Sequence, residues 1–80
     1  MRNLDYEKLI EIVVNVLSVH PGEIERDSRF CEDLGADSLD MYQMAMEVEK
    51  TFQIDLSDVK LDEIVTVDDA YTVVNTAKSK

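Results

Sequence analysis

The apolar residues of this chain recur with a helical period rather than alternating, which is the pattern of helices and not of strands. Residues 4 to 18 place Tyr6, Leu9, Ile10, Val13 and Leu17 at i, i+3, i+4, i+7 and i+11, on one helix face. A second helix is expected over about 38–52, with Met41, Met44, Ala45, Val48 and Phe52 in one stripe facing the core. Residues 57 to 64, led by Ser57, are expected to form a short third helix. The last helix follows Thr66 and aligns Val67, Ala70, Tyr71, Val74 and Ala77. The pattern predicts an all-α fold, a small antiparallel four-helix bundle with a long loop after helix one and a short third helix. Repeats and linkers are absent, so residues 1–80 read as a single domain.

His20-Pro21-Gly22 is expected to end the first helix, because proline cannot continue it and glycine accepts left-handed geometry. The connection from about 19 to 36 is long for a compact domain, which marks it as a special loop. Ile24, Phe30 and Leu34 are expected to pin it to the core. Gly35 permits a sharp entry into the second helix. Asp37 is the expected N-cap there, with Asp40 three residues on in a capping-box arrangement. Thr66 and Asp69 repeat that spacing before the last helix.

Charge narrows the function. Eighteen acids against eight bases give a net charge of −10. Nucleic acid and anionic membrane surfaces need basic patches, so both are excluded as expected partners. Basic protein partners, reached by electrostatic steering, fit better. Residues 37 to 69 hold ten acids and two bases, so the recognition surface is expected to begin there. No stretch of about 18 uninterrupted apolar residues could span a membrane. The N-terminus lacks the cationic start and apolar block of a signal peptide. Cys31, the one cysteine, offers no disulfide framework. These features suit a reducing, cytoplasmic setting. Cys31 reads as a half-buried loop thiol and His20 as a turn residue.

The stretch "LGADSLD", residues 34–40, sets Ser38 between aspartates after a glycine. Flanking carboxylates make a serine harder to deprotonate, which argues against a nucleophile. The G-x-S-x-G elbow is absent: Gly35 lies three residues before Ser38, and Asp40 stands where the second glycine belongs. The calcium loop D-x-[DN]-x-[DN]-G is absent too, and the acids read as a solvated surface with no tight metal site. Two readings of Ser38 stay open: a helix cap, or a hydroxyl modified by another protein. A second apolar stripe of Leu39, Tyr42 and Met46 runs beside it, bordered by Asp40, Gln43 and Glu47. It is either a protein-docking face with an acidic rim or part of a rotated, buried core.

The segment "EDLGADSLDMYQMAMEVEKTF", residues 32–52, resembles the signature of the acyl carrier proteins: an acidic-leucine entry, G-x-D-S-L, then an amphipathic helix ending in phenylalanine. The long anchored loop, the region of "LSDVKLDEI" and the closing "TVDDAYTVV" extend the resemblance over nearly the whole chain. It implies that Ser38 carries 4'-phosphopantetheine through a phosphodiester, supplied from coenzyme A by a magnesium-dependent phosphopantetheinyl transferase. Asp37 matches the family's aspartate beside the serine. Leu39, Tyr42 and Met46 match its partner-facing positions, with Asp40, Gln43 and Glu47 around them. The arm's thiol would hold acyl chains as thioesters. A monomeric carrier, not an enzyme, would shuttle them between acyl-transfer and chain-elongation enzymes with basic docking surfaces. Fatty acid synthesis is the first expectation. Gln43 is neutral and Lys50 basic where that pathway's carriers commonly have acids, so a specialised polyketide or D-alanyl carrier is the alternative. An unmodified acidic interaction module is the rival from a different class.

The crowding of acids in residues 37–69 generates a test. Self-repulsion destabilises a compact state, and at 0.1 M salt the Debye length is already down to about 10 Å. Added salt is expected to raise the melting temperature, and magnesium or calcium to do so at lower concentration. A melting temperature insensitive to both would show that these acids are already dispersed or paired.

Overall fold

The fold is a computed structural model that describes residues 4–79. The described residues form three α-helices, α1 (Leu4–Leu17), α2 (Ser38–Phe52) and α3 (Val67–Lys78), and two single 3-10 turns, Pro21–Glu23 and Leu61–Glu63. No strand occurs among them. A lone bridge pairs Arg29 with Thr66.

Two expectations need correction. The helix anticipated over 57–64 is only the 3-10 turn Leu61–Glu63, and Ser57 does not lead it. Its cap position is Lys60, whose side chain makes no capping hydrogen bond. A helix start needs acceptors for its first N–H groups, and a lysine provides none. The helices are also not simply up-and-down. Lys78, at the end of α3, pairs with Asp5 at the start of α1 and lies 5.8 Å from the ring centroid of Phe52 at the end of α2. The C-terminal ends of α2 and α3 therefore meet at the N-terminal end of α1. α1 runs against both, and α2 and α3 point the same way.

The core collects Leu9, Ile12 and Val13 from α1, Met44 and Val48 from α2, Val67 and Val74 from α3, and Phe30, Ala36 and Leu56 from the connections. The α1 face is turned from the sequence expectation. Ile12 is buried, whereas Tyr6, Ile10 and Leu17 are only partly so. α2 packs against this side of α1, and the wider apolar stripe it meets includes Ile12. The stop of α1 also differs. The left-handed residue after the helix is Ser18, at φ 55°. Pro21 and Gly22 instead enter a 3-10 turn. His20 caps that turn: its Nδ1 accepts from Gly22 N–H, and its own N–H donates to Glu23 Oε2. α2 ends at Gln53, likewise left-handed at φ 55°.

The long loop is held in three ways. Phe30 is buried, and Ile24 and Leu34 pack partly buried against the core, as the sequence implies. Ser28 is buried and accepts from Glu25 N–H through its hydroxyl at 2.9 Å. The loop backbone also serves α3. Val67 N–H donates to Ser28 O at 3.0 Å and Asp68 N–H to Arg26 O at 2.8 Å, while Phe30 N–H donates to Val65 O at 2.9 Å. A helix begins with four N–H groups that lack intrahelical partners. At α3, loop carbonyls satisfy two of them and the Thr66 hydroxyl takes Asp69 N–H. The first three are thereby accounted for.

Both anticipated capping boxes form, Asp37 with Asp40 and Thr66 with Asp69. The Asp69 carboxylate accepts N–H bonds from Thr66 and Val65, each at 3.0 Å. These bonds hold its pKa below the ordinary 3.8. A depressed folded-state pKa gives stability that is complete above the unfolded value and is lost as pH falls through the folded one. Asp69→Asn should therefore lower stability at neutral pH and flatten the acid limb of a melting-temperature profile below about pH 4. An acid limb as steep as the wild type's would show that other carboxylates govern it.

Candidate functional site

Ser38 is the first residue of α2, and its side chain is exposed. The N-terminus is capped by its neighbours. Asp37 Oδ1 accepts from Asp40 N–H at 2.9 Å, and Asp40 Oδ2 accepts from Asp37 N–H at 3.2 Å. Both carboxylates are turned into the helix start. The choice left open by the sequence is thus narrowed: the cap is Asp37, and the Ser38 hydroxyl stands outside it. Gly35 supplies the entry turn at φ 75°, with open space around it, so glycine is required there by backbone conformation and not by crowding.

Ser38 sits on the rim of a groove of about 410 Å³ between the N-terminal end of α2 and the segment leading into α3. Met41 and Tyr42 form one wall, and Leu61, Ile64 and Val65 the other, with Arg29, Cys31 and Glu32 of the long loop across the end. Tyr42 follows Ser38 by four residues and so lies one turn further along the same face. Met41, Leu61 and Ile64 also line a second, inner cavity of about 40 Å³ bounded by the core residues Leu9, Val13, Phe30 and Val74. These three side chains separate the outer groove from the core.

The second stripe of α2 is exposed and not part of a rotated core. Leu39, Tyr42 and Met46 are 77%, 62% and 50% exposed, against 5% for Met44 and Val48. The structure divides the anticipated face along its length. Tyr42 lies with Ser38 over the α2–α3 groove. Leu39, Asp40, Gln43 and Glu47 line a different groove, of about 510 Å³, with Ile12, Asn15 and Val16 of α1. Met46 lies on the exposed surface beyond both. Gln43 donates to Glu47 Oε1 at 3.3 Å, so the neutral residue is tied to the acid one turn on. Asp40 and Glu47 are half-buried.

Sequence reasoning missed the far wall of the groove. Val65 is 48% exposed, and Leu61 and Ile64 join it beside Ser38, more than twenty residues away in the chain. No local pattern signals that proximity. Cys31 is exposed rather than half-buried, because its neighbour Phe30 takes the inward position. His20 lies in its turn and does not line the groove. No group of three or more His, Cys, Asp or Glu side chains among the described residues could hold a metal ion. No helix among them is long and apolar enough to cross a membrane.

Comparison with known proteins decides the family. The phosphopantetheine attachment site family matches residues 7–74. The acyl carrier protein of Wolinella succinogenes is 40% identical over 73 residues, covering 91% of this chain and 96% of that protein. Those of a Sulfurovum species and of the Aster yellows witches'-broom phytoplasma are each 45% identical, over 81% and 90% of this chain and 87% and 97% of their own lengths. The chain belongs to the acyl carrier protein family. As a member, it carries covalently attached 4'-phosphopantetheine and interacts with a phosphopantetheinyl transferase and with acyl-handling enzymes. The geometry fits such a group: an exposed hydroxyl outside the helix cap opens onto a mainly apolar groove.

The exposures yield a direct test. Tyr42→Ala and Met46→Ala should each change unfolding free energy by no more than about 0.5 kcal/mol, as at ordinary surface positions. Met44→Ala, from the same helix, should cost about 2–5 kcal/mol. Urea titration of the three variants measures both. Losses at Tyr42 and Met46 matching that at Met44 would place the second stripe in the core.

Proposed function

We propose that Ser38 is the residue to which phosphopantetheine is joined, and that the chain carries acyl intermediates of fatty acid synthesis between enzymes. One observation carries the attachment reading: the G-x-D-S-L serine is exposed at the start of α2 while Asp37 and Asp40 perform the capping. Its hydroxyl is accessible and is not needed to hold the helix. A phosphodiester there lies at the positive end of the α2 dipole, which favours an anion. When bound, the arm supplies a terminal thiol for thioester formation. The chain's own residues orient and shelter, and bond-making belongs to the partner enzymes.

The shelter follows from the groove. Apolar cargo laid along Tyr42, Val65 and Leu61 leaves water, and deeper entry requires Met41, Leu61 and Ile64 to part. The inner cavity of about 40 Å³ is far smaller than a long acyl chain, so the helices must separate to admit one. Partner enzymes would meet Leu39, Tyr42 and Met46 as apolar anchors, with Gln43 among them. Asp40 and Glu47 would act mainly on the association rate with basic docking surfaces. Asp37, fixed at the cap beside Ser38, would serve as a handle for the transferase or its metal ion. We read residues 1–80 as one cytoplasmic, monomeric carrier domain.

A specialised carrier is the second reading. It rests on Gln43, neutral and bonded to Glu47, and on Lys50, basic at the end of α2. Identifying the acyl group released from the thioester of natively isolated protein separates the pathways. The attachment itself is tested by intact mass after treatment with coenzyme A, magnesium and a broad phosphopantetheinyl transferase. Wild type should gain one phosphopantetheine and Ser38→Ala none, with the helical content of Ser38→Ala unchanged because Asp37 keeps the cap. Addition to the alanine variant would move the site elsewhere. A wild type that gains nothing would favour an unmodified acidic interaction module.

A further inference from the structure

The groove beside Ser38 has apolar walls, but acids also line it in a chain already carrying ten net negative charges, and an arm attached at Ser38 would bring an anion to it. Glu32 and Asp62 line it, and among its lining residues the single cation is Arg29. The Arg29 backbone is firmly placed. Its N–H donates to Asp33 Oδ2 at 2.8 Å, and its carbonyl accepts from Asp33 and Leu34 N–H. Its neighbours Ser28 and Phe30 are stitched to Val67 and Val65. The side chain is held more lightly. Nη1 lies 2.6 Å from Glu32 Oε2, while Nε is 3.7 Å from Asp33 Oδ2, beyond hydrogen-bond distance. Arg29 and Glu32 side chains are 51% and 66% exposed, and pairs so exposed open at little cost.

Resting on the attachment at Ser38, we propose that Arg29 is a positioning residue for the phosphodiester of the modified protein, exchanging Glu32 for the phosphate oxygens and holding the arm's root against the groove. The guanidinium fork matches phosphate geometry in a way that an ammonium does not. Without this partner, a phosphate on Ser38 would meet Asp37, Asp40, Glu32 and Asp62 with only the helix dipole in its favour. With it, the charge added by modification is neutralised at the loop that closes the groove's end. Modification then ties the long loop to α2 through a contact that the unmodified chain lacks.

Phosphorus NMR of the holo protein reads this contact, because a purely structural role of Arg29 would leave the phosphodiester signal alone. Intact mass first establishes full modification of every variant. At low salt the 31P line of the wild type should be displaced from that of Arg29→Gln, with Arg29→Lys between them. In 1 M salt, where the Debye length is about 3 Å, the wild-type line should move toward that of Arg29→Gln. The Arg29 Nε–Hε signal should shift between apo and holo wild type. Glu32→Gln removes the closer of the two carboxylates that compete for Arg29 and should increase the 31P displacement, which keeps the test valid should Arg29→Gln fold poorly. Identical 31P lines in fully modified wild type and Arg29→Gln, or a Glu32→Gln line unmoved from wild type, would overturn the proposal while leaving Ser38 as the attachment site. A wild type that gains no mass would overturn the attachment reading and this inference with it.

Discussion

The structure depends on the hydrogen bonds by which the long loop meets the start of α3. Val67 and Asp68 expose N–H groups that no residue of their own helix can satisfy, and Ser28 and Arg26 offer carbonyls at 3.0 and 2.8 Å. Leaving such donors unmet in a part-buried position costs about 1–3 kcal/mol each, so the pairing stabilises both partners. The loop gains a fixed path and α3 gains its cap. Phe30, held between these bonds, is driven into the core, and Arg26 lies 5.5 and 5.1 Å over the rings of Tyr6 and Tyr71 while pairing with Asp68. The ion pair is exposed and contributes about 0–1 kcal/mol alone. Its place between α1, the loop and α3 matters more than its strength.

From that junction the site follows. Fixing residues 26–36 places Gly35 and Asp37 at the head of α2, and fixing the segment before α3 sets Val65 and Ile64 opposite Met41 and Tyr42. The groove is thus a by-product of two connections being tied together. Its inner wall of Met41, Leu61 and Ile64 is also the outer skin of the core. The proposed sheltering of cargo would use that arrangement, since it needs no permanent large hole. An empty cavity of chain length would lose packing contacts and stability in proportion to its volume.

The distribution of labour along α2 is equally physical. Asp37 and Asp40 cap the helix, Met44 and Val48 hold it to the core, and Leu39, Tyr42 and Met46 remain outside. Each task draws on a different side of one 15-residue helix. If the outer face is the proposed docking surface, methionine suits it, because a flexible side chain adapts to differently shaped partners. The acids that border it are half-buried and partly engaged, Asp40 in the cap and Glu47 with Gln43. Their field still reaches solvent, while their geometry is held.

Local chemistry was legible in the sequence. The capping boxes at Asp37 and Thr66 depend on side chains three residues apart, and both formed as the spacing implied. The apolar stripes of α2 and α3, and Phe30 as the loop's anchor, follow equally from local period and composition. G-x-D-S-L pointed to the family that the comparisons show. What depends on contacts between distant segments was not legible. The stripe at Ile12 was set by the neighbour α1 happened to meet. The 57–64 segment closed only a single turn at Leu61–Glu63, because Lys60 brings no capping acceptor to its start. The groove, its far wall and the approach of Arg29 to Ser38's surroundings were decided by tertiary structure alone. They arise where two loops share backbone hydrogen bonds, and no periodicity within either loop records its partner.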